Sequence, residues 1–286
     1  MTAHRPRVVV VANCQARPVA QILSVCTEAQ VGDPIILHLA RAEEEIQHRQ
    51  AFESADLILA QLTTDGYKPG HVASQSLLAQ YSGKVIIWPN LFYSGQQPFL
   101  RYLTLPAGGR VLGPLESYHD LRILRRWASA RGVDDVKSDD SAEFNHRRSL
   151  DDLRQREARC AVGVADLIEQ LHGQRRLFFT FNHPTAWLME RMCERLCAVA
   201  GLPFTYASTF KSEPLARIVA PSIWQDWPGQ ALPYRGQAVS YEAAGKVALR
   251  EIRNWGPEEL ETEFFKAYDH VLSEANWSAL RYTPNY

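Results

Sequence analysis

Long apolar runs are missing from this sequence, and so is any excess of charge of one sign. No apolar stretch approaches the roughly 18 residues of a membrane-spanning helix, and the first one breaks at Asn13, before the roughly 7–15 residues of a signal-peptide core. The 31 basic and 32 acidic residues leave a formal net charge of -1. A nucleic-acid-binding protein would concentrate a basic excess on one face. We therefore expect a cytoplasmic protein with no membrane span and no nucleic-acid partner.

Cysteine is also scarce, with five residues in the chain of 286. An odd number of widely spaced cysteines does not suit a disulfide framework. Cys193 and Cys197 lie four apart, on one face of a predicted helix, but no CxxC or HxxxH pattern supplies further metal ligands. We predict buried thiols in a helix core rather than a metal site, and we expect no metal cofactor.

The first half of the chain contains strands that alternate with helices. Strands are predicted at 7–12, 34–40, 55–62 and 84–90, and helices at 18–27, 41–52 and 71–81. This alternation predicts an α/β protein with an open, mostly parallel, doubly wound sheet flanked by helices. Ligands of such sheets bind outside the carboxyl ends of the strands, where Cys14 and Asn90 are predicted to lie.

The second half is predicted to be more helical, within a single α/β domain whose possible lobes are 1–116 and 117–286. Polar residues 134–148 indicate an exposed loop, and residues 202–235 an irregular segment. One further strand is predicted near 175–181. Ser149 is expected to cap a long helix. The predicted helices of this half are 120–131, 150–171, 185–200, 241–254 and 257–274.

The segment VVVVANCQARP (8–18) carries the main candidate for chemistry. Cys14 would lie in the turn between the first strand and its helix, where backbone N–H groups and the helix dipole favour negative charge. The charge of Arg17 would act in the same direction, so we expect a lowered thiol pKa. The turn, with the amides of Asn13 and Gln15, could hold an oxyanion or a phosphate. Alternatively, Cys14 is a small buried residue at a strand end. A phosphatase loop is disfavoured because its Cys-x5-Arg spacing is absent.

A thiol nucleophile needs a base, and two histidines are candidates. His183, in TFNHPT, follows an apolar strand and precedes a helix, and Asn182 beside it could orient a ring or a substrate. His119, in ESYHD, precedes another helix. Either histidine could instead be hydrogen-bonded without a catalytic role, whereas His38 is predicted to lie inside a strand. The spacing leaves open which histidine meets Cys14.

Two aromatic segments could contribute to a binding site. WPNLFYSGQQPFLRYL (88–103) is typical of a pocket wall or of a packed surface loop. Trp224, Trp227 and Tyr234 could form a platform that stacks on a sugar ring. We favour the alternative that these three residues anchor an irregular segment in the core.

Four motifs in order along the chain resemble the WcbI family of capsular-polysaccharide biosynthesis proteins. They are NCQ, a WPxLxFxGxxP-like segment, YHD and TFNHP, and the resemblance runs over most of the chain. It implies a coenzyme A-binding O-acetyltransferase that takes the acetyl group from acetyl-CoA and gives it to a sugar or polysaccharide acceptor in capsule biosynthesis. It also implies Cys14 as the catalytic thiol and His183 or His119 as its base.

The same resemblance implies contacts to the coenzyme around the turn. Gln15, Asn13 and the N–H groups of the turn would steady the oxyanion or the coenzyme, whereas Arg17 and Lys211 are proposed coenzyme contacts on their charge alone. Asp120 and Glu213 are candidates for a third member of a triad.

The sequence leaves open two routes of acetyl transfer and two other functions. In a ping-pong route Cys14 takes the acetyl group and His183 then deprotonates the sugar hydroxyl, whereas in a direct route Cys14 only positions the donor. The alternatives are a thioesterase or sugar esterase with the same cysteine, and a non-catalytic coenzyme A-binding subunit of a capsule assembly complex.

Overall fold

The computed structural model describes residues 5–132, 141–206, 213–223, 232–272, 277 and 279–283. Lys211, Trp224 and Trp227 lie outside these residues. The helices α1 to α8 span Ala16–Cys26, Glu45–Ser54, Ser74–Tyr81, Leu121–Ser129, Ala142–Glu157, Ala165–Leu171, Ala186–Ala200 and Pro257–Val271. The strands β1 to β12 span Arg7–Ala12, Gln30–Val31, Ile35–Ile36, Leu57–Gln61, Val85–Trp88, Leu100–Thr104, Tyr118–Asp120, Phe178–Thr180, His183–Pro184, Tyr234–Tyr241, Val247–Trp255 and Arg281–Thr283.

A parallel sheet with the order β2-β1-β4-β5 forms the centre of the first half. Strand β1 pairs with β2 at its start, with β3 at its end and with β4 along its other edge, always in parallel. Val8 to Ala12 are buried, as a continuous β-branched run in a covered parallel strand should be. The predicted α/β fold, with a parallel sheet flanked by helices, is confirmed.

The predicted strand 34–40 is wrong for most of its length. Only Ile35–Ile36 form a strand, and the chain then turns after the Leu37 N–H donates to the Ala12 carbonyl over 2.8 Å. His38 is therefore exposed on a turn rather than enclosed in a strand. The apolar composition of the segment reflects packing of Ile35 and Leu37 against the core, not an extended backbone.

Two compact units share the chain. The first comprises Met1–Phe92, Leu150–Leu171 and His183–Leu215, and the second Tyr93–Ser149, His172–Asn182 and Ala216–Tyr286. The single domain with lobes 1–116 and 117–286 stays a prediction. Within the described residues, the helices are all too short or too polar to cross a bilayer.

The second unit contains more strand than the sequence predicts. An antiparallel sheet has the order β12-β6-β7, and β10 and β11 form a hairpin that packs against α8. The predicted helix 241–254 is wrong, because most of it belongs to this hairpin and Gly245 turns the chain at a φ of 71°. The alanine, glutamate, lysine and arginine residues of the segment favour a helix locally, but pairing with the preceding strand overrides that preference.

The predicted cap at Ser149 is also wrong, since α5 already begins at Ala142 and Ser149 lies inside it. Part of the predicted loop 134–148 is therefore helical, and residues 133–140 lie outside the described chain. The long helix predicted for 150–171 is two helices, α5 and α6. The carboxylate of Glu157 accepts from the N–H groups of Val164, over 2.6 Å, and Ala165, over 3.0 Å, and so caps the start of α6.

Helix α7 agrees with its prediction and has an ordinary beginning and end. The Thr185 hydroxyl caps its N-terminus by accepting from the Leu188 N–H over 3.4 Å, and Gly201 ends it with a φ of 66°. Cys193 and Cys197 are buried on this helix, which confirms the prediction of core thiols. Pro257 stands in the first turn of α8, also as predicted.

Candidate functional site

Side-chain amides join the carboxyl ends of three adjacent parallel strands. Gln61, the last residue of β4, accepts from the Asn13 N–H over 3.1 Å and donates to the Gln15 side chain over 3.0 Å. Gln15 donates to the Leu91 carbonyl over 2.9 Å, and the Asn13 amide donates to the Asn90 amide over 3.2 Å. We call Asn13, Gln15, Gln61 and Asn90 the amide network. It fixes the turn after β1 relative to the ends of β4 and β5.

Cys14 lies within this fixed turn and is half-buried, so it is neither sealed in the core nor fully exposed. Its thiol is 3.8 Å from Oδ1 of Asn13. Burial raises the pKa of the Cys14 thiol to about 11, while a hydrogen bond from its own backbone acts in the opposite direction. The expected lowering of this pKa is therefore wrong. At neutral pH the sulfur is a thiol, and chemistry at this position requires a base.

The N–H groups of the turn are mostly used within the protein. The N–H of Gln15 donates to Oδ1 of Asn13 over 2.9 Å, and the N–H of Ala16 donates to the Asn13 carbonyl over 3.0 Å. Gln15 itself is fully buried, so its side chain fixes the turn and is not exposed to a coenzyme. Arg17 is exposed on the first turn of α1. Solvent screens an exposed guanidinium, which explains why burial rather than Arg17 dominates the pKa of Cys14.

His183 belongs to the same unit as Cys14 and is half-buried just before α7. Burial lowers the pKa of this imidazole to about 4. The ring is therefore neutral at physiological pH, which is the form that accepts a proton.

Helices α1 and α7 pack against each other, so the helix that follows Cys14 contacts the helix that follows His183. Cys14 lies two residues before α1, and His183 lies three residues before α7.

His119 has a different environment, in the second unit. It is fully buried, and its two ring nitrogens contact the Tyr268 hydroxyl at 3.1 Å and the Val111 carbonyl at 3.0 Å. Burial lowers its pKa to about 4. Both nitrogens are engaged in the core, so this geometry favours a structural role and leaves His183 as the better candidate base.

The two carboxylates considered for a triad cap helices instead. Asp120 accepts from the N–H of Arg122 over 2.9 Å at the start of α4, and its carboxylate also binds the Arg122 guanidinium. Glu213 accepts from the N–H of Ala186 over 2.7 Å at the start of α7. The latter contact holds the start of the helix that follows His183.

Asn182, next to His183 in the chain, is held by hydroxyl groups of the second unit. Its Oδ1 accepts from Tyr118 over 2.7 Å and from Thr180 over 3.0 Å, and its Nδ2 donates to Tyr102 over 3.2 Å. These three bonds fix Asn182 in its own unit. They use its amide group in the fold, which favours a structural role over contact with a substrate.

The aromatic segment after β5 is packed rather than open. Tyr93 is fully buried, and its hydroxyl contacts Nδ1 of His146 at 2.6 Å. Gly95 has no side chain because an added Cβ would collide with the Tyr93 hydroxyl. Of the two interpretations of this segment, the packed one is correct for Tyr93 to Gln97.

Sequence reasoning missed Gln61, although the sequence contains a signal for it. Strand β4 is apolar from Leu57 until this one amide, just as the chain of the first strand is apolar from Val8 until Asn13. A buried amide must find partners, so two strands that each end on an amide predict a shared hydrogen-bond network.

Comparisons with known proteins agree with this architecture. A family model described as polysaccharide biosynthesis enzyme WcbI matches residues 7–205. A solved structure with 19% sequence identity has a TM-score of 0.67, over 96% of this chain and 93% of the other. It is described as WcbI, a novel polysaccharide biosynthesis enzyme, in its native form without a disulfide bond between coenzyme A and that protein's Cys14. No curated protein matches the chain.

Proposed function

This chain belongs to the WcbI family of polysaccharide biosynthesis enzymes, and we propose that it is a coenzyme A-dependent O-acetyltransferase that acts on a sugar hydroxyl of a capsule polysaccharide or its precursor. The observation that carries this proposal is a half-buried cysteine fixed by the amide network at the carboxyl ends of parallel strands. Ligands of α/β sheets bind at these ends. Cys14 is therefore where a thioester could be received.

Acetyl-CoA is the proposed donor because the sulfur of Cys14 can attack the carbonyl of a thioester. The solved relative is described with reference to a disulfide between coenzyme A and its own cysteine, which supports a coenzyme site beside Cys14 in this chain. Arg17 is exposed three residues further on and could meet a phosphate of the coenzyme. Asn13 is half-buried in the same turn and is the proposed polar contact of the thioester end.

Because the pKa of the Cys14 thiol is raised, a base must remove the thiol proton. With a pKa of about 11, only about one Cys14 in ten thousand is ionised at pH 7, so the thiol needs proton transfer as it attacks. His183 is neutral at that pH, and the helix that follows it packs against the helix that follows Cys14, so we propose His183 as the base. In the ping-pong route His183 accepts the thiol proton as Cys14 attacks the thioester and gives that proton to the leaving coenzyme A thiolate. It then accepts the proton of the sugar hydroxyl that attacks the acetylated Cys14, and returns this proton to the Cys14 sulfur. In the direct route His183 accepts the hydroxyl proton and passes it to the leaving coenzyme A thiolate, while Cys14 positions the donor.

Acetyl-CoA should stabilise the folded protein if this proposal is right. A ligand that binds only the native state raises the free energy of unfolding by about 2.7 kcal/mol at a concentration of 100 times its dissociation constant. We therefore expect a dose-dependent rise of the melting temperature with acetyl-CoA. Acetate alone serves as the control and should have no effect. No shift at millimolar acetyl-CoA would contradict the proposal.

Product analysis separates the proposed transferase from a hydrolase with the same nucleophile. With labelled acetyl-CoA, the label should reach a sugar acceptor, with little free acetate formed when the acceptor is omitted. Rapid acceptor-independent release of acetate would instead identify a thioesterase.

A further inference from the structure

Trp255 lines a cavity of the second unit, with its indole buried in the protein. The volume of this cavity is about 370 Å³, within the range of small-ligand sites. Trp255 is only 5% exposed, and its indole N–H meets no acceptor among the residues that the structure describes. We propose that this cavity binds an acetylated sugar, whose acetyl carbonyl accepts a hydrogen bond from the Trp255 indole.

The indole N–H of Trp255 calls for an acceptor. Most buried polar groups in proteins are hydrogen-bonded, so a buried N–H without a partner needs an explanation. An indole offers a donor and no acceptor, and its partner must therefore be an acceptor atom. The indole N–H of Trp88 also lacks a partner in the described chain, but Trp88 is fully enclosed in the first unit. Trp255 lines a cavity, where a ligand can supply the acceptor.

The buried lining residues, Trp255, Arg176 and Ser222, form the floor of the cavity. Trp255 and Arg176 carry donors and no acceptors, and the Ser222 hydroxyl donates to the Gln96 carbonyl over 2.6 Å. Arg176 already interacts within the protein, so we assign the ligand contact to Trp255. A carbonyl oxygen suits such a floor because it accepts without donating, whereas a hydroxyl group also has a proton of its own to place.

The exposed lining residues form an apolar mouth. They are Leu232, Pro233 and Pro257. The two prolines have no backbone N–H, so they offer no donor there. A charged group held in this mouth would lose water without gaining a partner, which is costly. The mouth therefore favours the methyl group of an acetyl and the C–H face of a sugar ring.

An aromatic wall suits a sugar as the carrier of the acetyl group. Tyr234 begins β10 and lies directly opposite Trp255, which ends β11, in the hairpin register. Residues directly opposite each other in an antiparallel pair lie on the same face, so the two rings are neighbours on one side of the hairpin. Aromatic rings pack well on the C–H face of a sugar. The family of this chain is one of polysaccharide biosynthesis enzymes, which handle sugars.

The Trp255 ring is held in place by the protein itself. The guanidinium of Arg253 lies over it, with Cζ 4.1 Å from the ring centroid. Trp255 ends β11, and after Gly256 the helix α8 begins at Pro257, so the strand and the helix both fix its backbone. A donor fixed in this way loses little conformational freedom on binding, as a specific site requires.

The sugar site is separate from the proposed acetyl transfer. All residues that line the cavity belong to the second unit, and sugar binding is measured without any coenzyme. The Cys14→Ser variant should therefore bind the acetylated sugar as the native protein does. A failure of acetyl transfer and a failure of this site give different results.

Nuclear magnetic resonance of the full chain with isotope-labelled tryptophan observes the indole N–H directly. We expect the Trp255 indole proton to move downfield, saturably, as N-acetylglucosamine is added, because the acetyl carbonyl becomes its acceptor. Glucose, which has a hydroxyl in place of the acetamido group, should bind about tenfold more weakly or worse. The Trp88 indole is the internal control, since it is equally buried, and its signal should not move.

Two matched variants separate the indole N–H from the ring. Trp255→Phe keeps an aromatic ring but removes the N–H, and it should weaken the binding of N-acetylglucosamine about tenfold or more. It also identifies the Trp255 signal by its loss. Trp88→Phe makes the same change in the first unit and should bind as the native protein does. If Trp255→Phe does not fold, the cross-strand contact with Tyr234 identifies the Trp255 signal in the native protein, and the titration remains decisive.

Two further ligands test the acetyl assignment. Glucuronate offers a carboxylate and should bind more weakly than N-acetylglucosamine, so tighter binding of glucuronate would overturn the assignment. Coenzyme A has amide carbonyls of its own and should fail to displace N-acetylglucosamine, and displacement would assign the cavity to the coenzyme instead. An unmoved Trp255 signal at millimolar N-acetylglucosamine, or unchanged binding in Trp255→Phe, would equally contradict the proposal.

Discussion

Replacing Cys14 by serine is expected to lower the rate of acetyl transfer about a thousandfold or more, while acetyl-CoA binding is retained. A serine hydroxyl attacks a thioester far less readily than sulfur does, and the ester that it forms passes the acetyl group on slowly. The measurement is transfer of labelled acetyl to the sugar acceptor under saturating acetyl-CoA. The matched control is Cys160→Ser, at another half-buried cysteine of the same unit, which should transfer at the native rate. A loss of less than about tenfold in Cys14→Ser would exclude the ping-pong route and favour direct transfer.

A second prediction concerns His183, the proposed base. His183→Asn should slow transfer by about a hundredfold to ten-thousandfold, the range typical of general-base catalysis, without weakening acetyl-CoA binding. The exposed His38 supplies the matched variant, His38→Asn, for which we expect no change. His119→Asn should act through stability, because it disturbs a buried contact with Tyr268. If His119→Asn slowed transfer selectively and His183→Asn did not, the assignment of the base would be wrong.

Replacing Gln15 by leucine is expected to destabilise the protein by about 3 kcal/mol or more. The substitution leaves the Leu91 N–H and carbonyl and the Gln61 amide without their partner in a buried place, and each such group costs about 1–3 kcal/mol. Urea denaturation followed by circular dichroism measures the free energy of unfolding.

The control for Gln15→Leu lies on the next helix. Gln21→Leu makes the same substitution at an exposed position of α1 and should change the free energy of unfolding by no more than about 0.5 kcal/mol. Equal effects of the two substitutions would mean that the amide network does not hold the turn, and that Cys14 is positioned in some other way.

The sequence predicted best those parts of the fold that depend on local pattern and burial. The bounds of β1 agree with the prediction, since a run of valines that is buried on both faces leaves little alternative. Helix α7 was equally clear, because the Thr185 cap and the glycine at position 201 mark its ends. Where the partner of a segment is distant or unexpected, the prediction failed. The hairpin of β10 and β11 and the split between α5 and α6 depend on pairing and on a carboxylate cap that composition does not reveal.

The candidate site, like the fold, could be predicted from the sequence only in part. The position of Cys14 after a strand followed from the sequence. Its pKa did not, because the sequence shows the charge of Arg17 but not the burial of the sulfur, and burial outweighs an exposed charge. Gln61 was missed because its contribution depends on strand order, which places the end of β4 beside the end of β1.

Covalent labelling of the intact protein with coenzyme A disulfide tests most directly whether the Cys14 sulfur is the point where the coenzyme reacts. We predict a single adduct by mass spectrometry, mapped by digestion to the peptide that contains Cys14. The labelling rate should rise about tenfold per pH unit from pH 7 to 10, because the thiolate that reacts becomes more abundant up to a pKa of about 11. No adduct at Cys14, or preferential labelling of Cys160 instead, would contradict the account.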